Sequence, residues 1–332
     1  MSRFPARLTG VWQRRRPLRA TILGFPLSSS FMSSASARYM VLPLLAALIW
    51  SVNMVVTKMA VSVISPAAIS FYRWLIALVL LAPFALPGVV RQWAQIRAVL
   101  WRLAVLGALG MAVFQGLSYV AAASTTATNM GIITSTVPLM TIVVGALLLR
   151  EAPSLMAVVG ALVALFGLGI LMGEGHPTRL LAIGGSLGDG LMALAALSYA
   201  LYGVLLRRWH LQIGVWQSLF MQAAFVVVFQ LPFFLLASPS PLNGQNLPLV
   251  LYAAIFPSLF APFLWMQGVR YLGPNRASIF LNLMPVATVA IAALVLGERP
   301  HSYRIVGGLL ALIGVSLAQV RLRRRPATAV SS

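Results

Sequence analysis

Cysteine is absent from all 332 residues, which excludes a disulfide, a thiolate metal site and a cysteine nucleophile. Acid is nearly absent as well: four Asp and Glu stand against 24 Lys and Arg. Only 8% of the residues are charged, where soluble domains carry about 25%. A fold in water has no means of covering its surface with so few charges. A fold in lipid does not need them. No acid pair lies inside an apolar run, the pattern H-E-x-x-H is missing, and His176, His210 and His301 fall in predicted loops. These absences argue against an intramembrane enzyme. No G-x4-G-K-[ST] occurs, so ATP hydrolysis by a P-loop is excluded. Neither a cofactor nor a bound metal is expected.

What the chain has is long apolar runs. Hydrophobic residues make up 60% of it, with a mean hydropathy of +0.93. A helical span needs about 20 apolar residues. Ten stretches qualify: 39–63, 66–86, 100–123, 126–148, 155–173, 187–206, 214–237, 248–271, 276–296 and 302–320. The expected fold is an all-α integral membrane protein with ten transmembrane helices and no soluble domain.

The net charge of +20 does not point to nucleic acid, because the basic residues sit in tails and between apolar runs without an aromatic-rich basic module. They set orientation instead. With the N-terminus inside, 19 arginines fall on the cytoplasmic side and three, Arg179, Arg299 and Arg304, fall outside. Both termini are therefore expected in the cytoplasm. Residues 1–38 form a basic, acid-free tail expected to be disordered. Its composition also suits a transit peptide; a start of translation at Met32 is the simpler reading. Residues 321–332 form a second basic tail.

The chain repeats itself. An offset of 147 lays LLLREAPS onto LVLGERPH, Glu151 onto Glu298, Pro138 onto Pro285 and Gly160 onto Gly307. Earlier in each half the offset is 149, which lays WSVNMVVTK (50–58) onto YALYGVLLR (199–207). Five spans thus align with five, over 39–173 and 187–320, joined by an extracytoplasmic linker at 174–186. Five is odd, so the second half enters the membrane inverted, an arrangement found in secondary transporters. Glu151 and Glu298 follow the fourth and ninth helices, where the helix dipole disfavours an anion. Each is expected to cap the next helix or tie two helix ends together. Gly160 and Gly307, with Gly167 and Gly314, read as close-packing surfaces.

Two five-helix halves, each closing with P-x12-E and then a G-x6-G helix, resemble the drug/metabolite transporter superfamily, and within it the EamA-type exporters, including the YddG-like amino-acid exporters. The resemblance covers residues 39–320. It implies ten helices in a basket, a central cavity between the halves, small organic solutes as cargo, and fifth and tenth helices packed at the periphery.

A mid-membrane cavity needs polar or aromatic side chains near helix centres. Trp50, Asn53, Gln115, Tyr119, Ser135, Tyr199, Tyr202, Trp265 and Asn282 qualify. Amides such as Asn53, Gln115 and Asn282 are costly against lipid and must face protein or water. Each reads either as helix–helix glue or as cavity lining. Lys58 and Arg73 are the two cations inside predicted spans. Arg73 reads as a partner of Glu298 or Asp189, as a snorkelling side chain, or as a receptor for a solute carboxylate or part of an outer gate. Lys58 reads as a snorkelling side chain assisted by the dipole of its own helix, or as a receptor for a solute carboxylate or part of an outer gate. Pro138 and Pro285 interrupt their helices near mid-depth and read as hinges.

The function expected is secondary transport, with export of amino acids or related metabolites by alternating access. The chain is expected in the bacterial inner membrane, surrounded by lipid, as a monomer or homodimer, with a small-molecule solute as its partner and no nucleic acid. A multidrug efflux carrier for lipophilic compounds is the alternative, and an intramembrane enzyme a more distant one.

Overall fold

Every described element is helical. The computed structural model describes residues 34–150, 153–176, 187–238, 240–273, 277, 279–299 and 301–319. Glu151, most of the 174–186 linker, and the tails beyond 33 and 319 lie outside the described residues. Ten helices follow in chain order: α1 (Ser34–Ala60), α2 (Pro66–Arg91), α3 (Leu100–Ala122), α4 (Ala127–Leu149), α5 (Leu155–Met172), α6 (Leu187–Trp209), α7 (Val215–Leu236), α8 (Leu247–Leu272), α9 (Ile279–Leu296) and α10 (Ser302–Gln319). Among the described residues nine are long and apolar enough to cross a bilayer, and the apolar core of the tenth, Ser302–Ala318, is slightly shorter. A single-turn helix, Trp93–Arg97, joins α2 to α3.

The sequence starts and stops these helices with local chemistry. Ser65, Thr126 and Ser154 are extended N-caps whose hydroxyls accept from Ala68, Asn129 and Ala157 amides at 3.3, 3.1 and 3.1 Å. Pro66 follows its cap, where a missing N–H costs nothing. Arg150 and Gly297 end α4 and α9 in the left-handed conformation, with φ of 55° and 64°. The 147-residue offset pairs these two positions, immediately before each glutamate.

The outer faces carry Phe84, Leu147, Leu236 and Leu294, each more than three-quarters exposed. Such a surface would aggregate in water. In a bilayer it is the face turned to acyl chains. Regular helix satisfies backbone groups internally, as lipid requires.

α5 and α10 pack backbone against backbone. A Cβ built on Gly167 would lie 2.6 Å from the Gly307 carbonyl oxygen, and one built on Gly307 would lie 2.7 Å from that of Gly167. Gly160 and Gly314 block each other in the same way. As residue numbers rise along one helix they fall along the other, so α5 and α10 run antiparallel. They occupy the same place in the two repeats, and their antiparallel course is what inversion of one half requires. Leu162, Phe166, Leu309 and Ile313 stay exposed beside the seam, which puts the pair at the periphery.

Four helices depart from regularity, in two repeat-related pairs. α4 breaks at Thr136, two residues before Pro138, and α9 begins with a 3-10 turn, Ile279–Asn282, that ends three residues before Pro285. Both prolines stand in the first turn of a new α-helical segment, where the ring is tolerated. α3 and α8 each contain a π-helical turn, Ala108–Val113 and Phe256–Phe260. The 149-residue offset carries Ala108 to Pro257, so the two turns coincide across the repeat. π turns are rare and concentrate at functional sites.

Candidate functional site

Among the described residues Arg73 is the largest fully buried side chain, 2% exposed. It sits about two turns into α2. Its Nε donates to Ser258 Oγ at 2.8 Å, and one terminal nitrogen donates to Gln115 Oε1 at 3.0 Å and to Tyr119 Oη at 3.2 Å. Ser258 lies in the π turn of α8, and its own hydroxyl donates to the Ala253 carbonyl at 2.8 Å. One guanidinium thus joins α2, α3 and α8. Of the sequence candidates, Arg73, Gln115 and Tyr119 come together here. Arg73 neither snorkels nor bonds to Glu298 or Asp189: it is sealed among neutral partners, because both carboxylates are turned elsewhere.

The π turns expose carbonyls that the ordinary ladder would use, and neighbouring helices bond to them. Trp50 Nε1, on α1, donates to the Pro257 carbonyl at 3.3 Å. Ser198 Oγ, on α6, donates to the Leu109 carbonyl at 2.7 Å. α1 and α6 are themselves repeat partners, so each half bonds to the irregular turn of the other. Tyr252 Oη adds a bond to the Ile49 carbonyl at 3.0 Å. Trp50 also faces Trp265, their ring centroids 5.9 Å apart.

The remaining candidates do not form one cluster. Tyr199 and Tyr202 pair at 5.4 Å, and Tyr199 stacks obliquely on Phe114 at 4.7 Å. The Tyr202 ring lies so close to α3 that a Cβ on Gly110 would fall 2.6 Å from it. Asn53 is buried on α1, and Asn282 is half-buried at the end of the 3-10 turn. Ser135 donates to the Ile132 carbonyl at 2.6 Å, so its proton is used within α4.

A second polar centre holds the α3–α4 connector. Lys58 Nζ donates to the Ala122 carbonyl, the C-terminal residue of α3, at 2.6 Å. The cation therefore meets the negative end of α3 rather than that of its own helix. Glu298 accepts from the Ala127 and Thr128 amides at 2.8 and 3.1 Å. It caps α4, where an anion suits the positive helix end, and so ties the end of α9 to the start of α4; its own successor, α10, is not the helix it caps. Asp189, 1% exposed in the first turn of α6, accepts from Thr125 Oγ1 and twice from Asn129 Nδ2, at 3.1 and 3.0 Å. Two of the chain's four acids thus converge on one helix start. Beside it lies a recess of about 790 Å³, lined by Lys58, Ser62, Thr126, Gln245, Glu298 and the apolar side chains of Met59, Val63, Pro248, Leu249 and Leu296.

Sequence reasoning misses Ser258, Tyr252, Asn129 and both π turns. Pro257 within an apolar run is the one local signal for the α8 turn; α3 offers none comparable. Among the described residues no group of His, Asp and Glu is arranged to hold a metal ion.

Comparison with known proteins places this architecture. The uncharacterized transporter YyaM of Bacillus subtilis is 26% identical over 272 residues, 80% of this chain and 88% of the relative. An uncharacterized transporter of Archaeoglobus fulgidus is 25% identical over 278 residues, 82% and 94% of the two chains. The protein PecM of Dickeya dadantii is 29% identical over 242 residues, 68% and 78%. A solved crystal structure superimposes with a TM-score of 0.56 at 20% identity, over 85% of this chain and 96% of the other, which supports the fold. The EamA-like transporter family matches twice, over residues 37–173 and 186–319. With ten helices in two repeats and both repeats matched, the chain belongs to the EamA-like transporter family, a multi-pass membrane transporter and not an enzyme.

Proposed function

We propose that the protein is a secondary carrier that exports small organic metabolites, amino acids or related compounds first among them, by alternating access around a central cavity. The observation that carries this reading is the set of paired irregularities: α3 with α8, and α4 with α9, each lose regular helix at matching depths. Broken helices at the interface of inverted repeats are where transporters bind cargo and move. Arg73, Gln115, Tyr119, Trp50 and Trp265 surround one of these places and supply charge, amide, hydroxyl and aromatic faces. Arginine asymmetry supports cytoplasmic termini, and the bacterial relatives support a bacterial inner membrane. Domain limits at 39–173 and 187–320 follow from the internal repeat.

The test is counterflow. Purified full-length chain in proteoliposomes, loaded with each of the twenty common amino acids in turn, should accumulate the labelled species saturably. Uptake of lipophilic dyes in place of all twenty would favour the multidrug reading. Flux that never saturates and shows no counterflow would indicate a channel.

A further inference from the structure

Arg73 is a cation buried about two turns into α2, and among the described residues every hydrogen-bond partner it has is neutral: Ser258, Gln115 and Tyr119. Three good acceptors orient a guanidinium but leave its charge uncompensated, and an uncompensated charge at membrane depth is costly. The acids near the Glu298 end do not balance it. Both oxygens of Glu298 are engaged by α4 amides, and both oxygens of Asp189 are engaged by Thr125 and Asn129. Lys58 lines the recess at that end. It has used one of its three ammonium donors, on the Ala122 carbonyl. One apolar cluster links the wall of the recess to the surroundings of Arg73. Leu249 belongs both to the recess wall and to the cluster of Tyr119 and Val250, and Tyr119 bonds to Arg73.

We propose that the cargo bears a carboxylate, that Arg73 is the group that receives it, and that Lys58 is its contact at the mouth of the recess. This rests on the carrier reading above. The cargo supplies the negative charge that Arg73 lacks, and with Nε and one terminal nitrogen donating to Ser258, Gln115 and Tyr119, the second terminal nitrogen is the donor that meets it. Tyr119 already touches Arg73, so its hydroxyl stands within reach of the same anion, whereas the Ser258 proton is used on the Ala253 carbonyl. The arrangement discriminates against a lipophilic cation, which would meet the like charge of Arg73 among neutral partners.

The probes are L-phenylalanine, L-phenylalaninamide and phenethylamine, which share an aromatic body suited to the Trp50–Trp265 pair and differ at the carboxylate. Uptake into proteoliposomes of the full chain should favour phenylalanine by about tenfold or more, the scale of a charge-assisted hydrogen bond. Arg73→Gln should abolish that preference and Arg73→Lys should keep part of it. Lys58→Gln should slow phenylalanine uptake a few-fold at low salt, with the difference shrinking at high salt. Should Arg73→Gln fail to fold, the three probes on the unaltered chain and on Arg73→Lys still decide. Equal uptake of the amide or the amine by the unaltered chain, or an Arg73→Gln protein that retains the acid preference, overturns the inference and leaves the carrier reading intact. Uptake of none of the three also overturns it, and the twenty-amino-acid panel then judges the carrier reading separately.

Discussion

Glu298 and Ala127 are 171 residues apart, yet the Glu298 carboxylate accepts the Ala127 amide at 2.8 Å. The neighbouring oxygen accepts Thr128 at 3.1 Å. This one side chain fastens the last turn of α9 to the first turn of α4. Glu298→Gln removes the charge and presents an amide N–H to a backbone N–H. It should cost about 1–2 kcal/mol, the range of helix capping and charged hydrogen bonds. Thermal unfolding in detergent checks this, and transport per folded molecule should be retained.

Asp189 makes three side-chain hydrogen bonds while nearly inaccessible, to Thr125 and Asn129. Asp189→Ala strands the Thr125 hydroxyl and the Asn129 amide in a closed site. A loss of about 2–3 kcal/mol is expected. Asp189→Asn, keeping shape and acceptor, should recover part of it in the same unfolding measurement.

The α5–α10 contact has no space for a side chain. Gly167→Val would place carbon against the Gly307 carbonyl and the Ala311 amide, 2.6 and 2.7 Å from a Cβ on Gly167. Backbone yields less readily than side-chain ends, so the cost should reach about 1–3 kcal/mol. Loss of monodisperse elution on heating, at a temperature lower than for the unaltered chain, is the readout. Gly203→Ala, with open space around its Cβ position, serves as the control.

Arg150 holds a left-handed conformation at φ 55° on an exposed position, where its repeat counterpart is Gly297. A side chain in that region is disfavoured by about 1–2 kcal/mol relative to glycine. Arg150→Gly should therefore stabilise the protein by about 1 kcal/mol, once the greater freedom of glycine in the unfolded chain is counted. A rise in unfolding temperature confirms it.

Much of this architecture is legible in the sequence because the bilayer imposes it. Apolar runs of the right length mark the spans, and the structure moves their ends by a few residues: α1 starts at Ser34 and stops at Ala60, and α2 runs on past Pro83 and Pro87 to Arg91. The repeat is legible because Pro138, Glu151, Gly160 and their counterparts lie at fixed offsets. What is hidden is set by tertiary contact. Nothing local says that Glu298 reaches α4 instead of α10, since the meeting of those ends depends on how ten helices gather. The π turns are hidden for another reason: one extra residue in a helical turn leaves no trace in hydropathy. Ser258 is invisible until that turn aims it at Arg73, and Arg73 itself looks like a snorkelling side chain until its depth is seen.

The glycine seam has a mechanical consequence. α5 ends one half and α10 ends the other, and their main chains touch at Gly160–Gly314 and Gly167–Gly307 with nothing between them to yield. Sliding along that line would drive carbonyl into amide at every step. Neither main chain has room to slip past the other, so whatever swing the two halves make must carry α5 and α10 together, like two pages glued along one margin.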